Sequence, residues 1–255
     1  MKKIEGEILN NIDLGEGMFH LIVSAEEIAK RAKPGQFVNI RILDTLCPFI
    51  RRPYSIWSAE GDVIEFLIKV SGLGSRLLSE RKRGKIDLLG PLGRAYPEPN
   101  FGDNETVLIG GGTGIAPLMF YVKYYSLTNF KFIYGAKTCP PDYLISRLGE
   151  IIGDFLVSTE DGSLGFKGLV VDYVKELIRD GYIDPQKSIF ILCGPLAMLK
   201  SFQFLPPENT YVSMEGKMAC GFGVCMGCAV KRRDGKGYLR TCTDGTIFRL
   251  LDIEL

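Results

Sequence analysis

Four thiols crowd the end of the sequence: Cys220, Cys225 and Cys228 in a C-x4-C-x2-C run, and Cys242 beyond a stretch of basic residues and glycines. Thiolates at that spacing, with a distant fourth, are the ligand pattern of a plant-type [2Fe–2S] cluster. Zinc is the alternative metal, yet structural zinc sites usually come as two C-x2-C knuckles and this stretch has one. A third alternative leaves the thiols unligated. Gly221, Gly223 and Gly227 lie between the cysteines, where they let the loop take positive φ and turn backbone N–H groups toward sulfur.

Three further stretches could hold a cofactor. In "GGGTGIAP" (110–117), Gly111, Gly112, Thr113 and Gly114 join the strand pattern "TVLIG" to the helical pattern "IAPLMFYVKYYSL". Backbone N–H groups at such a helix start can meet a diphosphate with no side chain in the way. A tight turn without a ligand would read the same. The pattern also departs from G-x-G-x-x-G and lacks the acidic residue that holds a ribose, so a nicotinamide bound here sits in a different mode. In "RRPYSIW" (51–57) a guanidinium can neutralise a phosphate, the Tyr54 ring can stack on a flat heterocycle, and the Ser55 hydroxyl can bond a ring nitrogen. Strand alternation points Tyr54 and Ser55 to opposite faces; the alternative is an edge strand with exposed arginines. The third stretch, Cys193, Gly194 and Pro195, closes the apolar run "SIFILC". A buried strand-end cysteine explains it equally well.

These groups need a scaffold, and the scaffold changes along the chain. Residues 1–98 read as short alternating strands such as "MFHLIVS", "QFVNIRI" and "VIEFLIKV", separated by Gly, Pro and Asp, which is the grammar of an antiparallel barrel or sandwich. One helix is expected at 74–84, capped by Ser75 and closed by Gly84. After a proline-rich hinge, residues 99–214 alternate apolar strands with helical patterns, so a parallel sheet covered by helices is expected. Residues 215–255 are too few to build a core of their own and carry the cysteines. The fold class is therefore multi-domain β plus α/β: an antiparallel β-barrel domain, a parallel-sheet nucleotide-binding domain and a small C-terminal iron–sulfur loop subdomain.

Composition excludes several functions. A net charge of +1 over 255 residues offers no field for a polyanion, so "SERKRGK" and "KRR" are read as solvated surface and no nucleic acid is expected. The longest apolar run is short and broken by glycines and Pro117, so no membrane span or signal peptide is expected. Seven cysteines, an odd number clustered late, point to metal ligands in a reducing cytoplasm rather than a secreted disulfide framework. His20 is the only histidine and has no partner motif, so it is read as structural and no residue is assigned a catalytic proton transfer. No Walker-type lysine follows the glycines.

Taken in order, "RPYS", "LIKVSGLGS", "GGGTGIAP" and "CGP" resemble the ferredoxin-reductase superfamily, in which a barrel holds FAD and the following α/β domain holds a pyridine nucleotide. With the cysteine run appended, nearly the whole chain resembles the electron-transfer subunits of class 1B dihydroorotate dehydrogenase. The resemblance implies that Arg52, Pro53, Tyr54 and Ser55 meet the FAD, that Leu67, Ile68 and Lys69 line it, and that Gly74 and Ser75 present a helix N-terminus to its diphosphate. It implies that Gly111, Gly112, Thr113 and Gly114, with Cys193, Gly194 and Pro195, serve NAD(H). Cys220, Cys225, Cys228 and Cys242 would bind the [2Fe–2S] cluster.

The parts fit one another chemically. Nicotinamide gives up two electrons as hydride and an iron–sulfur cluster takes one at a time, so a flavin is the group able to join them. Residues 1–255 leave no room for a barrel that oxidises dihydroorotate on FMN, so a catalytic FMN-containing dihydroorotate dehydrogenase subunit is the expected partner in a hetero-oligomer of pyrimidine biosynthesis. The cluster loop is expected to face it. Alternatives keep the cofactors and serve a hydrogenase, a sulfide dehydrogenase or a transhydrogenase, or hold zinc in a non-enzymatic module. Lys137 is weighed as a contact for a 2′-phosphate, against a preference for NADH implied by the resemblance.

Overall fold

A computed structural model describes residues 1–44 and 49–255; Cys47 lies outside the described residues. The first seven strands form one antiparallel sheet: β1 (Lys2–Gly15), β2 (Met18–Ser24), β3 (Phe37–Arg41), β4 (Arg52–Ser55), β5 (Ser58–Glu60), β6 (Val63–Lys69) and β7 (Gly84–Leu92). Their spatial order is β4-β3-β7-β1-β2-β6-β5. β7 shows why the sequence pairs this way: along "GKIDLLGPL" every second residue from Ile86 onward is buried, and the one-sided period of two commits that face to the core. Leu21, Val38, Ile40, Phe66 and Leu88 fill it. Each such fully buried side chain contributes roughly 1.5–3 kcal/mol of transfer free energy. Two short helices decorate this half, α1 (Glu26–Ala29) and α2 (Leu73–Glu80).

The α2 boundaries differ from the expected ones. Ser75 lies inside the helix rather than capping it: its hydroxyl accepts the N–H groups of Ser71 and Gly72 at 2.8 and 3.2 Å, so it staples the entry loop from within the first turn. Gly84 does not close the helix but opens β7, with φ +104°.

The second sheet is parallel at its centre. It is built from β8 (Glu105–Gly111), β9 (Phe130–Ala136), β10 (Leu156–Thr159), β11 (Phe166–Lys167), β12 (Ser188–Cys193) and β13 (Thr210–Ser213). Helices α3 (Ile115–Tyr125) and α4 (Asp142–Ile152) cover one face, α5 (Val170–Arg179) and α6 (Leu196–Ser201) the other. Being covered on both sides, β12 is buried at all of its positions, which explains why it reads as a continuous apolar run.

The strand order β11-β10-β9-β8-β12-β13 reverses direction between β8 and β12. In open α/β sheets, ligands bind outside the strand carboxyl ends at such a reversal. The glycine turn 110–114 and the turn 193–195 end those two strands.

The C-terminal segment is stitched to both halves. It carries a hairpin, β14 (Ala229–Lys231) with β15 (Tyr238–Arg240), and a last strand, β16 (Ile247–Arg249), that pairs antiparallel with β13. Thr246 donates its hydroxyl to the Gly35 carbonyl at 2.5 Å, Arg94 N–H reaches the Gly245 carbonyl at 2.6 Å, and the buried Asn39 amide of β3 donates to the Cys220 carbonyl at 3.0 Å.

Candidate flavin, nicotinamide and cluster sites

A cleft of about 290 Å³ opens where the two sheets and the C-terminal segment meet. Pro53, Tyr54 and Ser55 from β4 and Leu67, Ile68 and Lys69 from β6 border it, so six of the residues singled out in the sequence share one wall. The volume is at the lower end of ligand pockets and suits a flat ring system. Tyr54 and Ser55 both border the cleft, although alternation sends them to opposite faces: β4 ends at Ser55, so the cleft wraps around its end. Tyr54 also packs against the barrel core, and burial pushes its phenol up to about 12, against a smaller downward pull from Arg52.

Arg52 stands outside the cleft, over the start of α2. A Cβ on Gly74 would lie 3.2 Å from Arg52 Nε. The absence of a side chain there lets the guanidinium and the helix N-terminus approach the same point, an arrangement suited to a diphosphate. The Ser75 hydroxyl is committed to its own loop, so what this residue can offer a phosphate is its backbone N–H.

Across the cleft, the two turns of the α/β domain are packed backbone to backbone. A Cβ on Gly114 would fall 2.4 Å from the Cys193 carbonyl oxygen and 2.8 Å from Gly194 Cα, and one on Gly111 would meet Met198 at 2.5 Å and Pro195 at 3.2 Å. These glycines therefore serve close packing of the two turns as well as leaving room for a ligand. Gly112, at φ +55°, has open space around it, and Thr113 reaches the cleft. Pro195 is exposed and precedes α6, while Cys193 is fully buried.

Sequence reasoning missed Glu215. Its Oε1 accepts from the Ser55 hydroxyl at 3.2 Å and lies 3.8 Å from Cys193 Sγ, joining the β4 wall to the β12 turn. Protein surrounds it, yet the carboxyl keeps solvent access through the cleft mouth. Desolvation by the surrounding protein pushes this carboxyl up from its ordinary range, against the downward pull of Ser55 and Cys193. Burial, then the neighbouring Glu215 charge, holds the Cys193 thiol well above its usual value. Cys193 is thus a neutral thiol rather than a nucleophile. No short-range motif marks Glu215, because its partner Ser55 is 160 residues away.

The four cysteines form two pairs. Cys228 and Cys242 are buried, with sulfurs 3.2 Å apart, and share an apolar cluster with Phe37 and Leu92. Cys220 and Cys225 lie toward the surface with their thiols in mutual reach. The pairs adjoin, because Cys242 feels the charge of Cys220 as well as that of Cys228. The loop itself is a cradle. Gly221 and Gly223 have φ of +78° and +90°, and added Cβ atoms would strike Asn39 at 2.1 Å and Thr243 at 2.8 Å.

Backbone dipoles in the loop point at sulfur. Burial raises the Cys220 thiol, but the N–H groups of Phe222, Cys225 and Val224 more than offset it and bring it to about 6. Gly227 N–H lies 3.4 Å from Cys225 Sγ. At the inner pair, burial and the adjacent Cys228 push Cys242 up to about 12. Four crowded thiols with N–H groups aimed at them are a donor set built for thiolate ligation of iron.

The fold and its sites define a reductase of the ferredoxin-reductase type with an added iron–sulfur segment. Residues 215–254 match the model of the iron–sulfur cluster binding domain of dihydroorotate dehydrogenase B. The chain is 31% identical to the dihydroorotate dehydrogenase B (NAD(+)) electron transfer subunit of Fusobacterium nucleatum and 32% identical to that of Bacillus mycoides, each over the full length of both chains. It belongs to this family of electron transfer subunits.

Among solved structures, it superposes on a chain of an NADH-dependent reduced ferredoxin-NADP oxidoreductase studied for flavin-based electron bifurcation. That match has a TM-score of 0.81 and 29% identity, covering 98% of this chain and 89% of that one. A Neisseria gonorrhoeae ferredoxin NADP+ reductase with bound FAD and NADP shares the fold at TM-score 0.69 and 22% identity, covering 79% and 89%. These comparisons do not favour the zinc-module reading or service to a hydrogenase, a sulfide dehydrogenase or a transhydrogenase.

Proposed function

We propose that this chain carries electrons between NAD(H) and a catalytic FMN-containing subunit that oxidises dihydroorotate to orotate, using FAD and a [2Fe–2S] cluster as the relay, in the cytoplasm. The parts would be residues 1–98 for FAD, 99–214 for NAD(H) and 215–255 for the cluster. The observation that carries the reading is the position of the cleft: Thr113 and Glu215, the latter in contact with Cys193, border it together with Phe37 and Met218, which also pack with Cys228 and Cys242. A flavin supplies the change from two-electron to one-electron transfer.

Arg52 and the N-terminus of α2 hold the diphosphate of FAD, Tyr54 packs against its ring, and Ser55 with Glu215 orients the ring edge by hydrogen bonding. The paired turns at Gly111–Gly114 and Cys193–Pro195 hold NAD(H) and admit its nicotinamide past Thr113. Cys193, neutral and buried, shapes that entry without taking a proton. Lys137 is exposed just past β9, and the backbone N–H groups of Glu160 and Asp161 bond the Ala136 and Lys137 carbonyls; the local charge is net negative, which disfavours a 2′-phosphate and supports NAD(H). On the outer face of the cysteine loop, Phe222, Val224 and Met226 expose apolar side chains. They are the surface offered to the partner subunit.

No helix among the described residues is long and apolar enough to cross a membrane. The test is a spectrum and an assay. The purified chain should show flavin and iron–sulfur absorption and reduce ferricyanide with NADH, yet turn over no dihydroorotate until an FMN-bearing partner is added. A colourless protein, or dihydroorotate oxidation by this chain alone, would overturn the proposal.

A further inference from the structure

The only histidine of the chain sits in the seam between the two sheets, behind the cleft. His20, on β2, is 1% exposed. Its Nδ1 lies 2.9 Å from the Tyr143 hydroxyl and its Nε2 2.8 Å from Glu65 Oε2, and the same carboxyl oxygen lies 3.6 Å from Arg147 Nη2. Tyr143 and Arg147 are one turn apart on α4, in the α/β domain, whereas His20 and Glu65 belong to the barrel. Trp57 lies between the two sets. The imidazole leans on its ring with centroids 4.5 Å apart, the Arg147 guanidinium stands 5.9 Å over it, and its indole N–H donates to Met119 Sδ of α3 at 3.1 Å.

His20 and Trp57 are each one step from the cleft wall. His20 pairs across the sheet with Leu67, which borders the cleft, and Trp57 is two residues beyond Ser55. On the other side, α3 starts directly after the turn that carries Thr113. Domain interfaces within one chain move by default unless they are large and specifically bonded. Here one set of polar contacts lies behind the site where two reacting rings would stack.

We propose that His20, Glu65, Tyr143 and Arg147 form an interdomain latch that sets the spacing between the flavin wall and the nicotinamide turn. They are positioning residues that touch neither cofactor. The inference rests on the cofactor reading above. A latch, rather than a pH switch, follows from the partners. The Glu65 carboxylate stands 2.8 Å from Nε2, at ion-pair distance though not aligned as a hydrogen bond, and the Tyr143 hydroxyl can donate to a bare Nδ1 or accept from a protonated one. The other charges nearby are Glu150, bound to Arg147 at 3.0 Å, and Lys123, which is bound to Glu60 at 2.6 Å and also favours the charged Glu65 carboxylate through space. Misplacement of reacting groups by about 1 Å can cost on the order of a hundredfold in rate.

The test compares His20→Leu, His20→Gln and Tyr143→Phe in the flavin-loaded full chain. Stopped-flow reduction by NADH should fall on the order of ten- to a hundredfold in His20→Leu, while reduction by dithionite, flavin content and cluster absorption stay as in the parent. Amide hydrogen exchange over 142–152 should speed up, a readout that needs no turnover. His20→Gln, which keeps a donor and an acceptor, should recover most of the rate. If His20→Leu fails to fold, Tyr143→Phe removes only the hydroxyl and should show the same pattern more weakly. Reduction by NADH within twofold of the parent, with unchanged exchange in α4, would overturn the latch. A parent protein that binds no flavin would instead overturn the cofactor reading, and the exchange data would still report on the seam.

Discussion

Gly221→Ala tests how the cluster loop is held against the barrel. Gly221 has φ +78°, and an alanine there costs about 1–2 kcal/mol for the left-handed backbone. The new Cβ would lie 2.1 Å from Asn39 Nδ2, so Asn39 must move and give up its bond to the Cys220 carbonyl. Asn39 is fully buried, and leaving its amide unsatisfied adds roughly 1–3 kcal/mol. Together these set the loss of loop docking at about 2–5 kcal/mol.

The assay is urea unfolding of the reconstituted protein, with cluster bleaching and flavin release followed separately. The cluster should become labile well before the flavin leaves. Asn39→Ala supplies the control, because it removes the clashing amide. On that background Gly221→Ala should cost only the backbone share, about 1–2 kcal/mol, so the two substitutions should couple by roughly 1–3 kcal/mol. Equal costs on both backgrounds would refute the reasoning, as would a Gly221→Ala protein whose cluster survives as well as the parent's.

Two further outcomes follow from the same structure. Gly114→Ala drives a Cβ into the Cys193 backbone at 2.4 Å, where no side chain can rotate away; it should cost about 1–3 kcal/mol and abolish flavin reduction by NADH in stopped-flow while dithionite still reduces the protein. Glu65→Gln should destabilise the chain by about 1–3 kcal/mol at neutral pH. Burial raises the Glu65 carboxyl, but His20, Arg147 and Lys123 outweigh it and leave it below the ordinary 4.5. Its contribution is therefore present above that value and lost as pH falls through the lower folded-state value, so urea midpoints of parent and variant should converge in acid.

What the sequence shows and hides divides by range of interaction. The cysteine run, the alternation of β7 and the apolar run of β12 are short-range patterns: the structure gathers the four thiols in one loop region, and both strands lie where their patterns place them. Ser75 is a near miss of the same kind. A serine directly after a glycine reads as a cap, but the helix starts at Leu73 because the Ser75 hydroxyl can satisfy the entry loop from within the first turn. The glycines of 110–114 read as phosphate contacts, yet Gly111 and Gly114 are also required by the neighbouring turn at 193–195, which no local pattern reveals. Glu215 and the His20–Tyr143 contact were illegible for one reason: their partners are 160 and 123 residues away.

Chain order and spatial order differ, and the difference makes the proposed relay workable. Along the sequence the flavin motifs come first, the nicotinamide turns second and the cysteines last. In space the flavin cleft lies in the middle, because the C-terminal segment does not stay on the sheet edge that β16 extends. Bonds from Asn39 to Cys220, from Thr246 to Gly35 and from Arg94 to Gly245 draw it back across the barrel. Phe37 then borders the cleft and also packs with Cys228 and Cys242. A segment held only by the β13–β16 ladder would leave the inner sulfurs without that shared neighbour, and a group able to pass single electrons would have no short path to them. The three backbone and side-chain bonds that return the segment to the barrel are therefore what place Cys228 and Cys242 beside Phe37 at the cleft.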